Sequence, residues 1–443
     1  MDAKRAAILR AMRVIRLTLL LAVSSFAFAQ SPAPASSPWQ MQESGTTAGL
    51  RGIFSVDGTV AWASGTGGTV LRTIDGGAHW TKCAVPDAAT DGATLDFRGV
   101  RAWDAETAIV MASGPGEKSR LYKTTDGCKT WALMLKNTDP DGFYDFFTFW
   151  DRKHGFLLGD PILRMRVRNE PDPLEYHAGQ THAPFVERTL KHRRFLTLST
   201  IDAGKNWADW GTGRGFNTED VAVNGAAFAA SNSAAFVPFQ ALPFCRAVPD
   251  FATSRSWIGI GGKDGARILM GFSNLTDVCA PKEKWPDELR FAWSKGITVP
   301  LTGGTDSSGV FSVEFRVEIM PLEQFPEGIV PNGRGDYKHG IAVGGDYTKP
   351  NQATGTAAWS ADSGEHWTAS ATQPHGFRSA VQWSEGLHAW ITVGTNGSDV
   401  SRDDGKTWQP LDDGNWNALS LPFVVGPNGR IARMNPATLP AGE

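Results

Sequence analysis

Thr73-Ile74-Asp75-Gly76-Gly77-Ala78-His79-Trp80 decides how this chain is read, because it comes back. The pattern is Ser/Thr, any, Asp, any, Gly, two variable residues, Trp. It recurs at Thr200–Trp207, Ser360–Trp367 and Ser401–Trp408, and Thr124–Trp131 keeps every fixed position except Gly, where Cys128 stands. The fixed residues suit a tight hairpin. Asp accepts from backbone N–H groups of its own turn, Gly takes a positive φ, and the hydroxyl satisfies a further turn group. Trp opens the next strand and buries its ring between sheets.

The spacing of the repeats gives the architecture. Trp80 and Trp131 are 51 residues apart, Trp367 and Trp408 are 41 apart, and each interval is the size of one four-stranded blade. Leu50–Phe54, Thr59–Ser64 and Gly68–Arg72 read as three strands leading into the first box, and Gly99–Trp103, Ala108–Ser113 and Arg120–Lys123 repeat them. The 76 residues from Trp131 to Trp207 hold a blade plus an insertion at 162–194, which reads as a long polar loop. In the 160 residues from Trp207 to Trp367, Ala226–Ala230, Ala234–Pro238, Ser256–Gly261 and Ala266–Phe272 read as a blade without a box. Val310–Phe315 and Gly340–Gly345 then open the next blade around an insertion near 316–336. After Trp408 the chain supplies inner strands but no closing box, and Trp39-Gln40-Met41-Gln42 resembles the strand that follows one. The expectation is an all-β fold over 39–443, a seven-bladed β-propeller closed by the N-terminal strand, which removes a free edge.

Before that domain, Lys4, Arg5, Arg10, Arg13 and Arg16 precede an apolar run, Leu17 to Ala27, and the small-residue site Ala27-Phe28-Ala29. This reads as a cleaved signal peptide over 1–29, then a Ser/Pro/Ala linker over 30–38, and hence a periplasmic or secreted protein. An uncleaved membrane anchor is the alternative. Without 1–29 the chain has 38 basic and 45 acidic residues, a balance that argues against nucleic acid. Four cysteines allow three disulfide connectivities. Proximity in sequence favours Cys83–Cys128 and Cys245–Cys279. With no Cys-x-x-Cys, a thiol redox centre or cysteine-rich zinc site has little support.

The octapeptides resemble the Asp boxes of the bacterial neuraminidase repeat superfamily. The chain from about Trp39 to Met434 is similar to one branch of it: bacterial proteins related to the photosystem II stability/assembly factor, often labelled oxidoreductases or glycosyl hydrolases. The resemblance is carried by Phe149–Pro161, Gly309-Val310-Phe311-Ser312 and His339–Tyr347. It implies a seven-bladed propeller, export, and a binding scaffold for membrane-complex assembly without a known catalytic centre. The insertions and the missing box depart from the pattern and leave the partner open.

Sialidase chemistry, which the Asp box brings to mind, needs an arginine triad, a Tyr nucleophile with its Glu, and an Asp acid/base. Arg51-Gly52-Ile53 stands where Arg-Ile-Pro belongs, and of Tyr122, Tyr144, Tyr176, Tyr337 and Tyr347, Tyr122 lies on a strand entering a box. For a two-carboxylate glycosidase the candidates are Asp160 and Asp346, each after Gly at a strand end. Turn capping is the plainer role for both, though the same positions, with Tyr347, suit a contact surface. The insertion carries Arg164, Arg166, Arg168, Arg188, Lys191, Arg193 and Arg194 with His177, His182 and His192. That stretch suits an acidic partner or anionic headgroups, or is a solvated loop, and its histidines lack a metal-ligand spacing. Asp75, Asp126, Asp202, Asp362 and Asp403 read as structural.

The sequence therefore points to a non-catalytic exported propeller that binds another envelope protein or a membrane complex. A glycoside hydrolase or carbohydrate-binding propeller is the alternative. No cofactor or metal is expected, and a quinone-dependent dehydrogenase would need a motif not found.

Overall fold

A computed structural model describes residues 37–149, 152–171, 185–209, 224–237, 255–273, 291–293, 296–316, 318–319 and 335–439. The signal segment, Tyr176, His177, His182, Cys245 and Cys279 lie outside them. Within Pro38–Glu443 the described residues form β-strands and turns, with a few 3-10 turns and no α-helix.

Five sheets are four-stranded and antiparallel. The first is a meander of Leu50–Ser55, Ala61–Gly65, Val70–Thr73 and Thr81–Lys82, and the second runs through Phe97–Ala102, Ala108–Ala112, Arg120–Thr124 and Ala132–Lys136. The third is Tyr144–Phe149, Gly155–Pro171, Phe185–Thr200 and Ala208–Asp209. A later one is Ala380–Ser384, Ala389–Gly394, Gly397–Ser401 and Gln409–Asp412. The last joins Ala418–Ser420, Phe423–Val425 and Ile431–Met434 to Trp39–Gln42, with Trp39 opposite Met434 and Gln42 opposite Ile431.

Burial within a meander follows the residue types. The second strands, such as Ala61–Gly65, Ala108–Ala112 and Ala389–Gly394, are buried at every position, which is why they are runs of small and β-branched residues rather than alternating ones. The outer Thr81–Lys82 is exposed. Each core is shared between successive sheets. Trp62 and Val70 pack with Phe97, Val100 and Tyr122, and Ile109 and Leu121 pack with Phe147 and Leu157. Ile341 and Val343 meet Val381, Trp390 and Trp408, while Ala418, Phe423 and Ile431 pack against Leu50, Ile53 and Ala61.

The middle of the chain departs from expectation in three ways. The strand expected at 226–230 is only Gly225–Ala226. Ala235–Phe236, Arg255–Gly262 and Arg267–Ser273 do form a meander with Phe291–Trp293 and Ile297–Thr298, but this blade does not stand alone. Arg255–Gly262 also pairs with Thr305–Phe315, so two expected blades merge into one ten-stranded sheet. The pairing runs through Gly261 opposite Gly309. A Cβ on Gly261 would stand 2.2 Å from the Ser308 carbonyl oxygen, so only glycine lets these backbones meet.

Second, the described parts of the insertion near 162–194 are strands, where a long loop was expected. Gly155–Pro171 and Phe185–Thr200 continue as one antiparallel ribbon, with Arg164 opposite His192, Arg166 opposite Leu190 and Arg168 opposite Arg188. The cause is the alternation Ile162-Leu163-Arg164-Met165-Arg166-Val167-Arg168, a period-2 pattern that charge count alone conceals. Third, the insertion near 316–336 begins as a hairpin, Glu318–Ile319 pairing with Gly335–Asp336.

Candidate functional site

The five octapeptides build one turn. Thr73 Oγ1 donates to Asp75 Oδ1 at 2.8 Å and accepts from Gly77 N at 2.9 Å. Asp75 Oδ1 accepts from His79 N at 2.9 Å, and its Oδ2 meets His79 Nδ1 at 2.7 Å. Asp126 with Thr130, Asp202 with Asn206, Asp362 with His366 and Asp403 with Thr407 repeat the arrangement. The position before Trp, read as variable, is therefore a second donor to the carboxylate. Bonds from His79, its backbone N–H foremost, hold Asp75 down at about 2. Thr130, its hydroxyl foremost, lowers Asp126 to about 2 as well. These carboxylates serve their own turns.

Two successive residues take positive φ in each turn: Gly76 and Gly77, Ala203 and Gly204, Ser363 and Gly364, Asp404 and Gly405. In the second box they are Gly127 and Cys128, so glycine has moved one place back and Cys128 carries a φ of 65°. Cys128 is joined to Cys83, with Cα atoms 5.3 Å apart, tying this turn to the chain just after the first sheet's outer strand.

Asp160 and Asp346 occupy different settings, and no hydrogen bond or ion pair joins them among the described residues. Asp160 Oδ1 accepts from Ala227 N at 3.1 Å, and burial raises its pKa. Beside it lies Asp145, unnoticed in the sequence, whose carboxyl burial pushes well above the usual range, with the Asp160 charge adding to the effect. Asp145 sits at a β-bulge between Tyr144 and Phe146, which turns an alternate residue inward. Asp346 Oδ1 accepts from Ser307 Oγ at 2.8 Å and from Thr348 Oγ1 at 2.6 Å, and Lys349 Nζ lies 3.3 Å from Oδ2. Burial works to raise Asp346, but these bonds outweigh it and bring the carboxyl to about 2. Each Asp is engaged in fixing backbone or turn. Tyr347 is 53% exposed and edges onto Phe311, which stacks on Phe228 at 4.0 Å and meets Phe377 edge-on at 4.8 Å. Arg164, Arg166 and Arg168 occupy alternate positions of the ribbon. Tyr122 is buried, its hydroxyl donating to Asp87 at 2.5 Å.

Segments from each of the large sheets converge on a cavity of about 250 Å³. Among the described residues, its lining comes from 53–54, 100–101, 146–148, 231–237, 313–314, 381–382 and 419–420. Strand edges that face one another here satisfy each other through side chains. Asn232 bonds both Phe147 N and Phe147 O, at 2.9 and 3.1 Å. Leu421 N donates to Gln382 Oε1 at 2.7 Å, and Ser55 N to Ser420 Oγ at 2.9 Å. The charged lining residues are Arg101 and Glu314. The Arg101 guanidinium lies 4.4 Å from the Phe54 ring centroid, and its Nε has no hydrogen-bond partner. Burial brings Arg101 down to about 10. Glu314 Oε1 accepts from Trp383 N at 3.2 Å, yet burial prevails and pushes its carboxyl up to about 8.

No family model and no curated protein matches the chain. Solved structures do, and they include β-propellers. One is "YCF48 bound to D1 peptide", with 14% identity, 91% of this chain and 98% of that chain covered, and a TM-score of 0.48. The WD40 β-propeller domain of Doa1 is 11% identical over 91% of this chain and all of that one, with a TM-score of 0.45. A GH74 enzyme of Niastella koreensis is 14% identical over 87% of this chain and 56% of that chain, with a TM-score of 0.31. At these identities and TM-scores the likenesses assign this chain neither ligand nor activity.

Proposed function

We propose that the chain is an exported, closed seven-bladed β-propeller that binds another envelope protein or membrane complex as an assembly scaffold. Seven lining segments around one cavity support the blade count, and the pairing of Trp39–Gln42 with Ile431–Met434 supports closure. The observation that carries the binding role is the ribbon. Gly155–Gly159 pairs with Tyr144–Phe149, and Leu198–Ser199 with Ala208–Asp209, but from Ile162 and Arg194 outward the two strands pair only with each other among the described residues. A two-stranded ribbon is marginal alone, and its open edges are templates for an incoming strand. Pull-down from an envelope fraction tests this, comparing the full chain with one in which 165–190 is replaced by Asn-Gly. The expected result is a partner held by the full chain and lost on shortening. Equal capture, or none by either chain, contradicts the proposal. Export is tested by intact mass of the periplasmic protein, which should begin at Gln30.

The carbohydrate reading keeps one supporting observation, the exposed Tyr347 ring above the Phe228–Phe311–Phe377 cluster. An aromatic face of that kind suits stacking on a sugar. A glycan array and turnover assays repeated with Tyr347→Ala, Asp160→Asn and Asp346→Asn test it. Binding or turnover unchanged in all three variants removes these residues from that role.

A further inference from the structure

Arg101 and Glu314 line the same cavity, and neither has a partner of opposite charge among the described residues. They do not pair with each other. Arginine does not escape this situation by losing its proton at neutral pH. A withdrawn guanidinium without an anion is costly, and proteins usually compensate such a charge. Glu314 relieves its own cost by holding a proton. Thr148 and Gln382 add polar groups to the lining. At about 250 Å³ the cavity has room for roughly eight waters, at ~30 Å³ each, or an organic molecule on the order of ten non-hydrogen atoms.

We propose that this cavity binds a small zwitterion, a free α-amino acid or a close analogue, with its carboxylate on Arg101 and its ammonium group on Glu314. The carboxylate supplies the counter-ion that Arg101 lacks, in the bidentate geometry a guanidinium favours. The ammonium group donates to Glu314, whose carboxyl gives up its proton to become the matching anion. A monocarboxylate satisfies only one end and a monoamine only the other. This site is separate from the ribbon, so it stands or falls independently of the scaffold role.

The proton adds a signature. Arg101 is the other charged group of the lining, and Arg316, two residues beyond Glu314, is held by Asp404 at 2.9 Å. The strands Ala235–Phe236 and Ala380–Ser384 packed on Thr305–Phe315 bring no charge, and Arg255, Arg267 and Asp346 on its other neighbours do not line the cavity. With Glu314 neutral below about 8, binding at pH 7 expels close to one proton per ligand.

The experiment is titration calorimetry on the mature full chain, after a thermal-shift screen of the twenty protein amino acids at millimolar concentration. L-leucine would then be set against isovalerate and isopentylamine, which keep its side chain but lose one charge each. The same comparison applies to whichever amino acid leads the screen. The proposal expects the amino acid to bind at least tenfold tighter than either analogue. Proton release should be read from two buffers of different ionisation enthalpy. Arg101→Met and Glu314→Gln should each weaken binding at least tenfold, with folding checked by circular dichroism. The analogue comparison needs no variant and decides the matter if either fails to fold. No binding by any of the twenty overturns the proposal. So does a monocarboxylate that binds as tightly as the amino acid, or binding indifferent to Glu314→Gln with no proton released.

Discussion

At the residue scale, each box rests on a hydroxyl that bonds twice. Ser401 Oγ donates to Asp403 Oδ1 at 2.9 Å and takes the N–H of Gly405 at the same distance. Removing it strands a buried N–H, which costs about 1–3 kcal/mol. Ser401→Ala is therefore expected to lower stability by that amount in urea unfolding, and a change within ~0.3 kcal/mol would contradict the assignment. Glu314 gives a pH test of opposite character. Its folded-state pKa, about 8, lies above the ordinary value of 4.5. The stability it contributes is thus full below about 4.5 and is lost as pH rises through about 8. The native chain should lose stability between pH 5 and 8 relative to Glu314→Gln, by at most ~1.4 kcal/mol per pH unit. Parallel stability–pH curves for the two proteins would refute this.

At the element scale, the disulfide and the glycine contact do different work. Cys83–Cys128 spans 45 residues and connects two successive sheets. Cys83→Ser with Cys128→Ser should cost about 2–4 kcal/mol by urea unfolding. Gly309 carries a φ of 156°, and its missing Cβ would lie 2.4 Å from the Gly261 Cα, so Gly309→Val should open the merged sheet and lower the melting midpoint by several degrees. The strands leading into the first two boxes were legible because Trp and Asp mark each turn and alanine-rich strands sit between them. The ribbon was not, since arginines at every second position of 164–168 read as polarity while their spacing was the signal. Asp145 and Glu314 were hidden for another reason. Asp145 lies on the first strand of its sheet and Glu314 on Thr305–Phe315 within the merged sheet, and what neighbours each depends on residues 15 and 69 positions away, Asp160 for one and Trp383 for the other. The seventh box position was visible as His, Thr, Asn, His and Thr, but a shared donor capacity is not a shared letter.

At the scale of the whole molecule, Trp39–Gln42 completes the sheet of the C-terminal strands, and Trp39 itself packs on Trp416 with ring centroids 6.0 Å apart. Trp39 Nε1 also donates to Ser398 Oγ at 2.9 Å, which joins the preceding sheet to the seam. Deleting 38–43 should uncover Ile431–Met434 as an edge and promote self-association. Light scattering after size exclusion would show dimers or larger species, and a monomer of unchanged stability would refute the expectation.

The same seam orders events in time. Trp39–Gln42 leaves any machine that makes or threads the chain from its N-terminus before every other described strand, yet its partner Ile431–Met434 is the last described strand to follow. Some 390 residues must pass while Met41 and its neighbours wait unpaired. That sheet thus stays open until Ile431–Met434 arrives: a chain cut short anywhere before Ile431 keeps an unsealed edge, and a protease or holdase that recognises open strands can tell it from one that carries both strands.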